Sequence, residues 1–119
     1  MTFIIYGDPL GKPRMTARDH WKQRPCVLRY RAWCDLARFA AFQKNQKIEL
    51  RKPAILTVKA YLPFGKVHRA GPHTVRPDGD NILKAICDAL FLNDQMVYKM
   101  SIEKLWCDGG APRVEVEWL

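Results

Sequence analysis

The segment of residues 80–91 constrains the fold most strongly, because its apolar side chains recur with helical spacing. At about 100° per residue, one arc of such a helix collects the apolar side chains of Ile82, Leu83, Ile86, Ala89 and Leu90. The opposite arc, roughly 100° wide, carries Asp80, Asn81, Lys84 and Asp88. We therefore expect an amphipathic helix whose polar face is short-chained and acidic and holds a single lysine.

The other segments predict four strands and one further helix. Alternation and β-branched or aromatic side chains indicate strands at residues 2–7, 54–62, 96–106 and 113–118. Helical spacing runs from Tyr30 to about Lys44, with one side formed by Trp33, Leu36, Ala37, Ala40 and Ala41. Trp33, Phe39 and Phe42 are expected in the core, and a Gly-Gly turn between the last two strands fits a hairpin. These elements predict a single α+β domain, residues 1–119, with a mixed β-sheet and two main helices in the order β-α-β-α-β-β.

Length and composition favour one ordinary globular domain. The chain has 119 residues, of which 48% are hydrophobic, and this suits a single core. No apolar run approaches the roughly 18 residues of a membrane span, and the N-terminus lacks the pattern of a signal peptide, so a soluble cytoplasmic protein is expected. The four widely spaced cysteines, Cys26, Cys34, Cys87 and Cys107, are predicted to be reduced and partly buried.

Charge is distributed unevenly along the chain. Residues 1–76 hold 16 of the 20 Lys and Arg but only 4 of the 12 Asp and Glu. Such a basic arm can hold a polyanion, which would also suit a ribosome-associated or simple nucleic-acid-binding protein. Two predicted loops, residues 8–29 and 64–77, supply the candidate phosphate contacts Lys12, Arg14, Arg18, Lys66, Arg69 and Arg76. For His20, His68 and His73, phosphate contact or solvent exposure is favoured over a role as general base or zinc ligand. The glycines form no phosphate-binding motif, so no nucleotide cofactor is implied.

Three aspartates around the helix of residues 80–91 form the candidate chemical site. Taken singly, Asp78 or Asp80 could cap the helix, and Asp80 could form a surface ion pair with Lys84. Together with Asp94 they supply the oxygen ligands that Mg²⁺ prefers. Such a metal can activate water and neutralise charge on a phosphate, while Lys84 could orient the water or steady the phosphate.

The stretch PDGDNILKAICDAL, followed by Asn93 and Asp94, resembles the signature of RusA-type Holliday junction resolvases, bacterial and prophage endodeoxyribonucleases. The resemblance covers residues 76–98 closely, and total length and the remaining elements are compatible with it. It implies that Asp78, Asp80, Lys84 and Asp94 are catalytic, that Asp78, Asp80 and Asp94 hold Mg²⁺, and that Asp88 is structural, paired with Lys84 or a basic loop. It further implies a homodimer that makes paired nicks at four-way DNA junctions.

Two departures from the family pattern affect the expected site. Asn93 occupies a position where many relatives have another aspartate. The N-terminal loop does not align residue by residue, so Trp21, and less strongly Met15, are candidates for the side chain that opens a junction. The competing hypotheses are a Mg²⁺ nuclease for flaps, forks or RNA, and a DNA-binding dimer without catalytic activity.

Overall fold

The four strands form one mixed sheet in the computed structural model, which describes residues 1–20 and 24–119, with the side chains of 1–18 and 24–119. The strands are β1 (Thr2–Tyr6), β2 (Ala54–Leu62), β3 (Val97–Trp106) and β4 (Arg113–Trp118). Their order in the sheet is β1-β4-β2-β3, and all neighbours are antiparallel except the parallel pair β2 and β3. The main helices are α1 (Pro25–Phe42) and α2 (Gly79–Leu90), with short 3-10 helices at Ala17–His20 and Asp94–Met96. The predicted α+β class and element order are confirmed.

Both main helices pack on the same face of the sheet, where the core lies. Alternate residues of the two central strands point into this core, and Leu56, Val58, Val114 and Val116 are almost fully buried. From α2 the core receives Ile82, Ala85, Ile86, Ala89 and Leu90, largely the apolar arc expected from the sequence. On the opposite face of the sheet lie exposed polar residues such as Thr57 and Lys59. The period of two in each strand thus separates a buried from a solvated face.

Helix α1 begins five residues earlier than predicted, at Pro25. Proline suits the first turn of a helix, because the amide hydrogen that it lacks has no helical partner there. The buried arc consists of Val27, Tyr30, Trp33, Cys34, Ala37 and Ala41. The predicted core position is confirmed for Trp33 and wrong for Phe39, since half of the Phe39 side chain is exposed. Phe42 is partly buried against the edge of Trp118, with ring centroids 5.5 Å apart.

The predicted hairpin between the last two strands does not form. Strand β4 lies between β1 and β2, whereas β3 pairs with the far side of β2 and forms one edge of the sheet. A central strand can bury apolar side chains fully, and Val114 and Val116 do so, while β3 has mostly polar or half-exposed side chains. The two glycines therefore lie in a connection from β3 to β4 that crosses β2, and not in a tight turn between neighbouring strands.

The parallel pair and the helix between them form a β2-α2-β3 unit that determines where the motif of residues 76–98 lies. In such a unit the helix begins near the carboxyl ends of the strands and ends near their amino ends. The carboxyl ends of parallel strands are a common place for ligand sites in open sheets. Residues before α2 and residues after it consequently lie at opposite edges of the domain.

The predicted partial burial of the cysteines is confirmed. All four cysteines are free thiols; Cys34, Cys87 and Cys107 are buried and Cys26 is half-buried. Within residues 1–20 and 24–119, no helix is long and apolar enough to cross a membrane.

Candidate active site

The start of α2 presents two aspartates to solvent. Asp78 occupies the N-cap position, but its side chain makes no capping hydrogen bond. Asp80 lies in the first turn, where a negative charge is favoured by the helix dipole, and its carboxylate is 3.7 Å from the Lys84 ammonium. The ion pair considered from the sequence is thus present, but both partners are largely exposed and it contributes little to stability. The capping role is not observed for Asp78, whose carboxylate oxygens remain available to a ligand.

An open cleft of about 560 Å³ lies beside Asp78. Its lining comes from both basic loops and the helix start: Gly11, Lys12, Arg76, Pro77, Asp78 and Asn81. Two predicted phosphate-contact residues, Lys12 and Arg76, therefore line the same cleft as a predicted catalytic carboxylate. A cleft with cationic walls beside a carboxylate can receive a phosphate-bearing chain and a cation together.

Gly11 allows the N-terminal loop to reach this cleft. A Cβ atom at this position would lie 3.1 Å from the Cβ of Asn81 and 3.4 Å from that of Pro77. The adjacent Lys12 amide donates a hydrogen bond to the Asn81 carbonyl at 3.2 Å. The sequence did not single out this glycine, although a glycine beside charged loop residues can mark such a close backbone approach.

Asp88 connects α1, α2 and the N-terminal loop. It accepts a 2.5 Å hydrogen bond from the Tyr30 hydroxyl and lies 3.6 Å from the Lys12 ammonium. Burial, with Asp88 nearby, raises the pKa of Tyr30 far above its usual value, so this hydroxyl stays protonated and donates. Of the two partners expected for Asp88, the basic loop is found and Lys84 is not. The contact with Tyr30 was missed, because Tyr30 is 58 residues away in the chain.

Asp94 lies at the other end of α2. The helix has 12 residues, hence a length of about 18 Å, and Asp94 follows it at the amino end of β3. Burial raises the pKa of the Cys87 thiol to about 11, and the charges of Asp94 and Asp88 contribute, which indicates that Asp94 is near the last turn of α2. Within the described part of the chain, no group of three His, Cys, Asp or Glu side chains converges to hold a metal ion.

Asn93 has a structural role in this chain. Its side-chain nitrogen Nδ2 donates a hydrogen bond to the backbone carbonyl of Leu50 at 2.8 Å, and its side-chain oxygen Oδ1 accepts one from the backbone amide of Leu50 at 2.7 Å. This two-way pairing needs both a donor and an acceptor, which an ionised aspartate cannot supply. The asparagine thus fastens the segment before β2 to the end of α2, and both its polar atoms are occupied.

The other candidates for contact with DNA lie in the two basic loops, residues 8–29 and 64–77. Arg14, Arg18, Lys66 and Arg69 are exposed, and the Arg69 guanidinium lies 5.3 Å from the ring centre of Trp106. His73 is buried against Trp106, so the expected exposure is wrong for this histidine, while His68 is exposed and 3.0 Å from Asp108. Met15 is 40% exposed. Trp21 and the side chain of His20 lie outside the part of the chain that is described.

The fold and the cleft define a small α+β domain with carboxylates at a helix start and basic loops around them, an arrangement suited to nucleic acid. The chain belongs to the RusA endodeoxyribonuclease family, whose model, described as "Endodeoxyribonuclease RusA", matches residues 7–118. It is therefore a nuclease of the hydrolase class with DNA as its substrate, and the family implies endonuclease activity on Holliday junctions.

One curated relative extends the comparison to a whole chain. The protein is 25% identical over 132 residues to "Uncharacterized protein YqaN" of Bacillus subtilis (strain 168). The alignment covers 96% of this chain and 92% of the relative, so the two have similar lengths. No solved structure matches the chain significantly.

Proposed function

We propose that this protein resolves four-way DNA junctions by paired, Mg²⁺-dependent nicks, in recombination and repair in the cytoplasm. The observation that carries the proposal is the cleft in which Asp78 lies with Lys12 and Arg76, within one helical turn of Asp80. The basic side chains would hold the phosphate backbone, and the carboxylates would hold the cation beside it. Family membership supplies the DNA substrate.

The donor set at the start of α2 fits Mg²⁺. This cation takes oxygen ligands and is commonly held by one or two carboxylates plus substrate phosphate. Asp78 and Asp80 offer two carboxylates at the helix start, and the Asp78 side chain makes no capping hydrogen bond. When bound, Mg²⁺ lowers the pKa of a coordinated water and neutralises charge on the phosphate. Lys84, already 3.7 Å from Asp80, would orient the water or stabilise the phosphate oxygens.

The proposed homodimer gives Asp94 a route to the metal. In one chain the length of α2 separates Asp94 from Asp78 and Asp80, so the three carboxylates cannot surround one ion without a large rearrangement. In a two-fold dimer with antiparallel α2 helices, the far end of one helix meets the start of the other. We infer that Asp94 completes the site of a second copy. Two composite sites related by two-fold symmetry would suit the symmetric junction.

Cleavage assays on matched DNA substrates test this function. A labelled four-way junction, a fork, a flap and a linear duplex of equal length are each incubated with and without Mg²⁺. We expect symmetric paired nicks in the junction only when Mg²⁺ is present. Preferential cleavage of forks or flaps would instead support a nuclease for other branched DNA, and junction binding without any cleavage would support a non-catalytic dimer.

The basic loops are expected to dominate the salt dependence of DNA binding. For each phosphate that the protein no longer neutralises, the slope of log K against log[salt] should fall by about 0.9. Arg14→Ala combined with Arg18→Ala should therefore weaken binding to all DNAs and flatten this slope. The matched control is Lys59→Ala with Lys99→Ala, which removes the same charge from exposed strand positions. Equal slopes for wild type and the arginine double variant would contradict the proposed phosphate binding.

A further inference from the structure

Lys104 of strand β3 is bonded to the chain just ahead of α2. Its ammonium donates hydrogen bonds to the carbonyls of Val75 and Pro77, each at 2.8 Å. The second of these carbonyls belongs to the residue that directly precedes Asp78. Lys104 also accepts, through its own carbonyl, a 3.0 Å bond from the His73 amide, so one residue fixes three points of the approach to the helix.

Ile102 holds the other side of the same turn. It lies two residues before Lys104 in β3, on the same face of the strand. A Cβ atom added to Gly79 would lie 3.0 Å from the Ile102 Cγ2 methyl group, so the helix start rests directly on this side chain. Both sequence neighbours of Asp78 are thus held in place: the Pro77 carbonyl accepts a hydrogen bond from Lys104, and Gly79 packs against Ile102.

We propose that Lys104 is a positioning residue that fixes the Asp78 carboxylate at the mouth of the cleft. Two observations support the proposal. Two ammonium bonds to one loop restrict it more than an apolar contact does, and hydrogen bonds from a charged donor are the stronger kind. The loop that carries Asp78 joins β2 to α2 beside β3, which is an edge strand of the sheet. Lys104 also lies outside the signature of residues 76–98, so the sequence motif does not mark it.

The chemical consequence follows from the geometry of metal binding. Mg²⁺ requires nearly ideal octahedral geometry, so its affinity depends on how well the carboxylates are held in place. A shift of about 1 Å in a reacting group can lower a rate by about a hundredfold. Loss of the Lys104 ammonium should therefore lower the affinity for Mg²⁺ and the rate of the chemical step more than the affinity for DNA. This kinetic part rests on the proposed function.

The first experiment measures the turn itself, without DNA or metal. Hydrogen exchange of the peptide spanning residues 74–82 is compared for wild type, Lys104→Met, Lys104→Arg and Lys99→Met. Methionine keeps the apolar stem and removes the donors, and we expect exchange in this peptide to be at least about tenfold faster. Arginine, which can donate to both carbonyls, should restore much of the protection. Lys99→Met, an exposed change in the same strand, should match wild type.

The second experiment measures Mg²⁺ and junction cleavage. For Lys104→Met we expect the Mg²⁺ concentration at half-maximal thermal stabilisation to rise about tenfold and kcat to fall by about ten- to a hundredfold, with little change in KM. Lys104→Arg should recover most of the wild-type Mg²⁺ response and most of the wild-type kcat. If Lys104→Met does not fold by circular dichroism, Lys104→Gln replaces it, with the same direction expected.

The two experiments separate failure of this inference from failure of the proposed function. Unchanged exchange of residues 74–82 in Lys104→Met overturns the positioning role, whatever the nuclease activity. Faster exchange in Lys104→Met, together with no Mg²⁺-dependent junction cleavage by the wild type, supports the positioning role and overturns the proposed Mg²⁺-dependent junction cleavage. A uniform rise in exchange over the whole chain, equal to the loss of global stability, also overturns the specific role.

Discussion

Replacement of Asp80 by asparagine should lower junction cleavage by at least about a hundredfold, the scale for loss of one electrostatic partner of the transition state. Binding to the junction should persist, because the basic loops that hold the phosphates are unchanged. Asparagine is almost the same size as aspartate, and the exposed Asp80–Lys84 pair is worth only about a few tenths of a kcal/mol. A large kinetic effect therefore could not be explained by reduced stability.

Thermal unfolding distinguishes ligation from a dipole or capping role. Mg²⁺ should raise the melting temperature of the wild type, since a ligand stabilises the state that binds it, and the rise should be smaller in Asp80→Asn. The matched control is Asp108→Asn, an exposed loop aspartate paired with His68 and distant from α2 along the chain. It should keep wild-type cleavage and the full response to Mg²⁺. Wild-type cleavage by Asp80→Asn would refute the assignment of Asp80 to the site.

Mixing two inactive variants should restore activity if Asp94 acts on the partner's metal. Asp80→Asn and Asp94→Asn are each expected to be inactive alone. In a mixed dimer, one site receives both substitutions and the other receives none. With equal amounts and free exchange, about half of the dimers are mixed, so about a quarter of the sites are intact. Because each mixed dimer has one intact site, it should make single nicks and few paired cuts.

The control for this experiment establishes that the chains exchange. Sedimentation should first give about twice the 13.8 kDa chain mass, and differently tagged variants should copurify after mixing. If mixed dimers form and cleavage does not return, Asp94 acts within its own chain or not at all. A monomeric wild type that still makes paired cuts would contradict the dimer itself.

The local patterns of the sequence predicted the elements well where one face is buried. Strand β2 and strand β4 were predicted with the observed bounds, and α2 within one residue, because their periodicities are regular. The prediction failed for Phe39, since α1 turns a different arc toward the sheet than the aromatic spacing suggested. It also failed for the β3–β4 hairpin, because local turn signals carry no information about which strands become neighbours.

For the site, the sequence determined the residue types and the tertiary structure determined their surroundings. The motif alone indicated carboxylates and a lysine around one helix, because its spacing and its resemblance to a family depend only on the order of residues. Three relations came only from the fold. Lys12 and Asp78 line one cleft, because Gly11 allows the N-terminal loop to approach the start of α2 closely. Asp88 accepts a hydrogen bond from Tyr30, and Lys104 donates one to the carbonyl of the residue before Asp78. The fold also set Asp94 at the far end of α2. Contacts between residues distant in the chain depend on strand order and helix packing, which a helical or strand period does not specify.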